Sequence, residues 1–406
     1  MSVSPDRIRA DIEAIARFTA TPGAGADRPT FSPEWRAARD YVIAQAKSAG
    51  CKTRIDAAGN LHARHESVPW ETPVWLSGSH LDSVPHGGDY DGVAGVVIAL
   101  EILRSATAKP LALELVLFAE EEGTTFGLGM LGSRAWVGDL SPPQLEKARN
   151  AQGFSYVEAG IDFGVRPSML LEDRLNPRHY LGLIEAHIEQ GPGMWNRGER
   201  VAIVTAIAGR KQYKVHIRGV ANHAGSTSMS DRKDALVAAA TCILQLEGTA
   251  NGIGENTVAT VGRIHVKPNA INVIPAEVDF TIDFRSPSNE ILAAGDERIR
   301  KLLAQTCDRR GLSHTIDATE SAPAVKMDLR LCERLKLSAA KLNIAAPPTV
   351  SGALHDAAVI APYLPTAMVF IASKDGISHN PAEFSRIEDI ALAAQVIEGV
   401  VTEAPR

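Results

Sequence analysis

Residues 74–95 read VWLSGSHLDSVPHGGDYDGVAG, and the rest of the chain is organised around this stretch. Its apolar start predicts a buried strand that ends at His80, and apolar residues at helical spacing follow from Val93. Asp91 therefore stands at the beginning of a helix. The glycine-rich loop between His80 and Asp91 can bring both side chains into the crevice beyond the strand ends, where α/β proteins usually bind ligands.

His80 and Asp91 together indicate a metal site. One imidazole and one carboxylate that converge at a strand end suit a divalent cation, above all Zn²⁺. Asp82 is placed to hold the second ring nitrogen of His80 and so to fix its tautomer. The alternative is a polar turn that carries its histidine and aspartates incidentally.

The composition is that of a globular enzyme of two domains. A chain of 406 residues exceeds what one core usually sustains, and 45% apolar residues exclude general disorder. A net charge of −6 gives no indication of a basic surface that would bind nucleic acid. No apolar segment approaches the length of a membrane span. The N-terminal segment lacks the apolar stretch of a signal peptide, and the four cysteines show neither CxxC spacing nor a disulfide framework. We expect a cytoplasmic protein without nucleic-acid or membrane partners.

The order of predicted elements indicates an α/β fold with an insertion. Strands and helices alternate through residue 119, and this α/β pattern returns after Pro323. Between them, strands at 211–220, 257–266 and 271–284 and helices that open near Asp231 and Asn289 form the order of a two-layer α+β module. The sequence therefore predicts a catalytic domain of residues 1–209 and 324–406 and an inserted domain of residues 210–323.

A second strand end carries three consecutive carboxylates, Glu120, Glu121 and Glu122. These groups would repel one another unless cations or protons intervene. Adjacent strand residues face opposite ways, so the three need not share one role. Near a metal, one could ligate the ion while its neighbour accepts a proton from water. A solvated acidic loop is the alternative.

Two further histidines stand at strand ends. His187 lies between Glu185 and Glu189 in a strand that Gly-Pro ends, and His379 follows the apolar strand 366–372. Taken alone, His187 is better explained as a histidine packed in the core. It becomes a candidate site residue because other polar side chains are also predicted at strand ends. The chain has neither a Gly-rich phosphate loop followed by Lys-Ser/Thr nor a Gly-x-Ser-x-Gly elbow, which argues against a nucleotide enzyme and a serine hydrolase.

The inserted domain has a polar cluster of its own, made of His223, Asn272 and Arg285. A guanidinium that ends a buried strand can clamp a carboxylate, because its planar fork matches the two oxygens. His223 could polarise a carbonyl oxygen. Alternatively, Arg285 pairs with Asp283 and is structural.

Five segments, in order along the chain, resemble the hydantoinase/carbamoylase branch of the metal-dependent amidohydrolases, which is related to aminoacylases and zinc carboxypeptidases. They are residues 78–84 (GSHLDSV), 120–123 (EEEG), 187–191 (HIEQG), 222–225 (NHAG) and 377–381 (ISHNP). The resemblance implies a metallopeptidase-like α/β catalytic domain and a ferredoxin-like inserted lid and dimerisation domain. It also implies a homodimer in which substrate contacts often come from the partner subunit.

The resemblance further implies the roles of individual residues. It implies two divalent metal ions per subunit, with Zn most typical and Mn, Co or Ni as alternatives. Asp91 would bridge the ions, Glu121 would be the general base, and Asp82 and His223 would assist catalysis. The remaining metal ligands would be His80, Glu122, His187 and His379. The remaining substrate contacts would be Gln190, Arg210, Asn272, Arg285 and Gly352.

The resemblance implies an enzyme that hydrolyses the C–N bond of a ureido acid, such as an N-carbamoyl-L-amino acid. Relatives that act on allantoate share a Gly-Gln-Arg-Arg-Tyr stretch, whereas residues 209–213 here read GRKQY, which displaces the glutamine. Thr125 and Ser228 also depart from the related motifs without touching the proposed ligands. The alternatives are an allantoate amidohydrolase, an N-acyl-amino-acid amidase or dipeptidase, and a metal-free binding protein on the same scaffold.

Overall fold

A computed structural model of the protein describes residues 3–105 and 111–403 and divides the chain into two units. Unit 1 comprises Met1–Thr205, Met327–Thr349 and His355–Arg406, and unit 2 comprises Ala206–Lys326 and Val350–Leu354. The predicted limits of the inserted domain, 210 and 323, lie a few residues inside unit 2. The short segment 350–354 that belongs to unit 2 is not indicated by the sequence. Met1 and Ser2, at the start of the N-terminal segment that was compared with a signal peptide, lie outside the described residues.

The secondary structure follows the alternation expected from the sequence. The α-helices are α1 (Pro5–Ala16), α2 (Pro33–Ser48), α3 (Val93–Ser105), α4 (Leu131–Val137), α5 (Pro142–Lys147), α6 (Tyr156–Gly160), α7 (Gly193–Arg197), α8 (Ala235–Asn251), α9 (Asn289–Asp308), α10 (Leu329–Lys341), α11 (Asp356–Ile360) and α12 (Ile387–Val401). The strands are β1 (Cys51–Ile55), β2 (Leu61–His65), β3 (Val74–His80), β4 (Leu113–Phe118), β5 (Tyr180–Ile188), β6 (Val201–Ile207), β7 (Gly209–Arg218), β8 (Val258–Thr260), β9 (Ile264–Lys267), β10 (Glu277–Ser286), β11 (Ser313–Ala322), β12 (Val325–Lys326), β13 (Pro348–Ser351) and β14 (Thr366–Ile371).

Unit 1 is built on a mixed sheet in the order β1-β2-β4-β3-β5-β14-β6. The four central strands β4, β3, β5 and β14 run parallel, whereas β1, β2 and β6 pair antiparallel with their neighbours. Every residue of β3, β4 and β14 is buried, which explains why most of their residues are apolar. Helix α3 is buried along nearly its whole length and packs on β3. Parallel central strands place their carboxyl ends at one edge of the sheet.

Unit 2 is a two-layer α+β structure. Its antiparallel sheet has the order β11-β7-β10-β8, and β9 also pairs with β10. Alternate residues of β10 are buried, and these pack with α8 and α9 into a separate core around Phe280 and Phe284. The α/β fold with a second α+β module therefore agrees with the sequence prediction.

Three details of unit 2 differ from the sequence prediction. The predicted strand 257–266 is two short strands, because the chain leaves the ladder between the segments that pair with β10. The predicted strand 271–284 begins only at Glu277, since Pro275 has no N–H to donate to a ladder. Strand β11 was not predicted, because most of its residues are exposed and polar and it lies at the sheet edge. Within the described residues, every helix is too short or too polar to cross a membrane.

Candidate metal centre

The carboxyl edge of the unit 1 sheet gathers polar side chains from four segments. His80 is the last residue of β3, and His187 is the penultimate residue of β5. Glu121 and Glu122 follow β4, and His379 lies in the loop after β14. These segments meet because the strands before them are parallel neighbours in the sheet.

Asp91, which precedes α3, stands at the centre of two groups of possible metal ligands. The first group is His80, Asp91 and His187, and the second is Asp91, Glu122 and His379. Within each group the ligand atoms lie within 4.8 Å of one another. Asp91 Oδ1 is 3.1 Å from His187 Nε2 and 3.7 Å from His80 Nε2, while Asp91 Oδ2 is 3.3 Å from His379 Nε2. The two oxygens of one carboxylate thus face different groups.

The rings of His80 and His187 are held by backbone carbonyls. His80 Nδ1 lies 3.0 Å from the carbonyl oxygen of Asp82, and His187 Nδ1 lies 3.0 Å from that of Ile188. Because a carbonyl only accepts, each Nδ1 carries a hydrogen, and in the neutral form of either ring the lone pair sits on Nε2, which faces Asp91. Burial lowers the pKa of His80 to about 4, so this histidine is neutral at pH 7.

The prediction that the Asp82 carboxylate holds His80 is wrong in its detail. Asp82 Oδ1 is 3.8 Å from His80 Nδ1, beyond hydrogen-bond distance, and the backbone carbonyl of Asp82 makes the contact instead. The carboxylate turns toward the neighbouring loop, where Oδ2 accepts from the Glu122 N–H at 3.0 Å. The carbonyl group belongs to the backbone, and the turn after β3 fixes its position. Its oxygen therefore contacts the ring without depending on a side-chain rotamer.

Local backbone geometry makes room for the His80 ring. Gly92 has a φ of +67°, and a Cβ at this position would lie 2.5 Å from an atom of the imidazole. A side chain there would push His80 away from Asp91, so the glycine after Asp91 is required by the close approach of the ring.

The donor set fits a divalent metal ion. His80 Nε2 and Asp91 Oδ1 are buried and, among the described residues, have no hydrogen-bond partner. Buried polar atoms without partners are costly, and a cation between them would remove the cost. Burial and the charge of Asp91 raise the pKa of Glu122 to about 8, and burial together with Glu122 raises the pKa of Glu121 well above its usual range. Imidazole nitrogens with carboxylate oxygens are ligands of zinc and neighbouring transition metals.

The three consecutive carboxylates have three different environments. Glu120 accepts hydrogen bonds from the N–H groups of Thr125 and Phe126, at 2.9 and 2.8 Å, and so closes its own loop. Glu122 belongs to the second ligand group, with Oε1 3.6 Å from His379 Nε2. Glu121 Oε2 lies 3.8 Å from His80 Nε2 and its side chain is only 10% exposed. A carboxylate beside both groups is in position to exchange a proton with a reacting molecule.

Gln190, predicted to bind substrate, lies directly at the centre. Its Nε2 donates to Asp91 Oδ2 at 2.8 Å and is 3.4 Å from His379 Nε2. Gln190 has a φ of +58°, a left-handed conformation that is uncommon for a residue with a side chain. The backbone N–H of Gln190 donates to Ser373 Oγ, which helps to fix this turn.

In unit 2, the structure brings His223 and Asn272 together. The Ala224 N–H donates to the Asn272 carbonyl, and His223 forms a β-bridge with Val273. His223 Nδ1 accepts from the Gly225 N–H at 3.0 Å. The neutral ring therefore carries its hydrogen on Nε2, where it can donate to a carbonyl oxygen.

Arg285 and Arg210 are cross-strand neighbours in unit 2. Arg285 donates from Nε to Asp283 Oδ1 at 2.8 Å, from Nη2 to Asp283 Oδ2 at 3.2 Å, and from Nη1 to the Gly352 carbonyl at 2.8 Å. Two of its five N–H donors remain. Arg210 pairs with Glu320. The pairing of Arg285 with Asp283, left open by the sequence, is thus present in the structure.

The sequence analysis missed residues that lie behind the centre. The His355 ring is buried with its centroid 4.4 Å from that of His187, and the neighbouring Asp356 is buried as well. Glu185 accepts from Ser79 Oγ at 2.7 Å and from the Ala357 N–H at 2.9 Å. The adjacent His355 and Asp356, which lie among apolar residues, are a recognisable signal in the sequence.

The chain is similar to known proteins along nearly its whole length. The sequence matches peptidase family M20/M25/M40 over residues 76–403. It is 35% identical over 405 residues to an N-carbamoyl-L-amino-acid amidohydrolase of Paenarthrobacter aurescens, covering 99% of this chain and 98% of the relative. It is 34% identical over 402 residues to an allantoate amidohydrolase of Escherichia coli (strain K12), covering 96% and 94%.

A solved structure gives the same result. The crystal structure of an amidase of the hydantoinase/carbamoylase family from Burkholderia multivorans superposes with a TM-score of 0.93 at 31% identity, and the match covers 98% of this chain and 97% of that one. The chain belongs to peptidase family M20/M25/M40, and its resemblance to the hydantoinase/carbamoylase branch and its fold class are confirmed.

Proposed function

We propose that this member of peptidase family M20/M25/M40 is a metal-dependent amidohydrolase that cleaves the C–N bond of a ureido acid, such as an N-carbamoyl-L-amino acid. The observation that carries the proposal is the pair of ligand groups that share Asp91, with Glu121 beside them. The names of the similar amidohydrolases support the ureido class of substrate. Their coverage of nearly the whole chain supports an activity of the same type.

The two ligand groups would hold two divalent metal ions, with Asp91 between them. Zn²⁺ is the first candidate and Mn²⁺, Co²⁺ and Ni²⁺ are the alternatives, because all of them accept imidazole and carboxylate ligands. When bound, such ions polarise a carbonyl group and make water acidic enough to act as a nucleophile at neutral pH.

Glu121 is the residue of this chain that would move the proton. It would take the proton from the attacking water as the C–O bond forms and then pass it to the leaving nitrogen as the C–N bond breaks. Its position supports this role, since Oε2 lies 3.8 Å from His80 Nε2 and Glu121 is outside both ligand groups. The backbone contacts of His80 and His187 would orient both rings toward Asp91.

Unit 2 would supply the groups that recognise the substrate. The two N–H donors of Arg285 that remain free of Asp283 and Gly352 could bind a carboxylate end-on. The Nε2–H of His223 could donate to the ureido carbonyl, and Asn272 lies in the adjacent segment. Gln212, the displaced glutamine, donates to Asp283 at 2.8 Å, which argues against its holding a second ureido group and hence against allantoate.

A homodimer and a cytoplasmic location complete the proposal. In unit 2, helix α8 exposes Val237 and Leu244, and strands β8 and β9 expose Val258 and Ile264 while pairing, among the described strands, only with β10. An apolar face beside an open sheet edge fits a second copy related by a twofold axis. The four cysteines are free thiols, as expected in a reducing compartment.

Light scattering would test the dimer. Leu244→Asp should convert a dimer to monomers, whereas Leu337→Asp, on the exposed face of α10 in unit 1, should leave the mass unchanged. A monomeric wild-type protein, or a dimer that survives Leu244→Asp, would contradict the proposed interface.

A substrate panel tests the activity. Ammonia release from N-carbamoyl-L-amino acids and allantoate is compared with amine release from N-acetyl-amino acids and dipeptides, with each of the four metals added in turn. The proposal predicts the highest kcat/KM on an N-carbamoyl-amino acid. Exclusive turnover of N-acetyl substrates or dipeptides would make the protein an aminoacylase or dipeptidase, and a wild-type protein that binds no metal would support the metal-free alternative.

A further inference from the structure

Glu383 joins the two chain segments that carry Asp91 and His379. It is buried, with 5% of its surface exposed, and it lies in the loop after His379. Glu383 Oε1 accepts from the N–H of Tyr90 at 2.9 Å and from the N–H of Asp91 at 3.0 Å. One carboxylate oxygen therefore holds the backbone on which the shared ligand sits.

The second oxygen of Glu383 reaches the same ligand through a hydroxyl group. Ser378 Oγ lies 2.8 Å from Glu383 Oε2 and 3.1 Å from Asp91 Oδ2. Ser378 also immediately precedes His379. The Glu383 carboxylate thus contacts the Asp91 segment directly and the Asp91 side chain through one intervening hydroxyl.

The opposite loop is shaped to receive this side chain. A Cβ at Gly88 would lie 2.1 Å from Glu383 Oε1 and 2.4 Å from Glu383 Cβ. Any side chain at position 88 would therefore displace Glu383. The glycine-rich loop is explained in part by the space that Glu383 occupies beside Asp91.

We propose that Glu383 is a positioning residue that sets the distance between Asp91 and His379 and thereby the affinity of the second ligand group for its metal ion. The inference rests on the proposed function, because it presumes that the two ligand groups bind metal. Residues that orient metal ligands through hydrogen bonds usually contribute a factor of about 10–100 to metal affinity. Glu383 is not a ligand in either group and would act through Asp91 and Ser378.

Zinc affinity tests the role of Glu383. Chelated protein is titrated with Zn²⁺ in competition with a chromophoric chelator, and the bound zinc is counted by elemental analysis. Glu383→Ala should lower the affinity for one of the two zinc ions by at least about 10-fold. Glu383→Gln should lower this affinity less, because its amide oxygen can still accept hydrogen bonds from the two N–H groups. The matched control is Glu101→Gln, a buried carboxylate of α3 that binds Ser4 and Arg7 and should leave zinc affinity unchanged.

The outcomes separate this inference from the function on which it rests. Wild-type protein without bound zinc would contradict the proposed function itself. A folded Glu383→Ala protein with wild-type zinc affinity, or a Glu383→Gln protein no tighter than Glu383→Ala, would overturn the positioning role alone. If Glu383→Ala does not fold, Ser378→Ala provides the test, since it removes the hydroxyl that lies between Glu383 Oε2 and Asp91 Oδ2, leaves the two backbone N–H contacts of Glu383 in place, and should also weaken zinc binding.

Discussion

Replacing His62 by glutamine is expected to cost unit 1 about 3 kcal/mol of unfolding free energy. His62 is completely buried in β2, with Nδ1 2.7 Å from Glu114 Oε1 and Nε2 3.1 Å from Asp56 Oδ2. Ionised carboxylates only accept, so both ring nitrogens carry hydrogens and the ring is an imidazolium. Removing one partner of a buried ion pair usually costs about 3–5 kcal/mol. We expect a loss at the lower end of this range. In the variant, Glu114 still pairs with Arg64, and Asp56 still accepts hydrogen bonds from two backbone N–H groups.

The loss should depend on pH. Burial lowers the pKa of His62, but its hydrogen bonds to Asp56 and Glu114 outweigh burial and raise the pKa above its ordinary value. A raised pKa in the folded state means that the stabilisation is fully present below the unfolded-state pKa of about 6.5 and is lost as the pH rises through the folded-state pKa. The free-energy difference between wild type and His62→Gln is therefore largest at pH 6 and decreases toward pH 9.

Tryptophan fluorescence during urea unfolding measures this difference in unit 1 alone. All five tryptophans, at positions 35, 70, 75, 136 and 195, belong to unit 1, and the Trp136 ring lies 5.0 Å from that of His62. His65→Gln, at a more exposed position of the same strand, is the control and should change stability by no more than about 0.5 kcal/mol. A His62→Gln protein with the wild-type urea midpoint, or with the same loss at every pH, would refute a buried imidazolium.

Three further substitutions test the division of roles in the site. Glu121→Gln keeps the size of the side chain but removes the base, so turnover should fall at least about 10²-fold with metal content unchanged, whereas Glu122→Gln should lower metal occupancy; the opposite pattern by elemental analysis would exchange the two roles. Arg285→Lys keeps the positive charge but loses the planar fork of N–H donors. It should raise KM for a ureido acid by an amount equivalent to about 1.5–3 kcal/mol and leave KM for the corresponding carboxamide nearly unchanged. Equal effects on acid and carboxamide would mean that Arg285 serves only to pair with Asp283.

The parts of the fold that follow from local chemistry were accessible from the sequence. The buried runs of β3 and β4 are long enough to identify strands, and Ser32 followed by Pro33 marks the start of α2, where Ser32 Oγ accepts from the Trp35 N–H. The geometry of parallel strands then places His80 and the acidic run at one edge. The proposed ligands at the ends of these strands are therefore expected to lie close together from the sequence alone.

The parts that depend on tertiary contacts were not accessible. Strand β11 is recognisable only by its partner β7, because its own residues are mostly polar and exposed. The sequence also cannot show that Asp82 uses its carbonyl rather than its carboxylate toward His80. Glu383 lies 292 residues from Asp91 along the chain, and nothing local to either residue indicates their contact.

Ammonia release from an N-carbamoyl-L-amino acid, measured with metal content on the same chelated sample, tests the central claim most directly. The two groups of proposed ligands, which share Asp91, have a common purpose only if they bind cations. We predict that exhaustive chelation abolishes turnover and that Zn²⁺, Mn²⁺ or Co²⁺ restores it in proportion to the metal bound. Full turnover by protein shown to contain no metal would contradict the account.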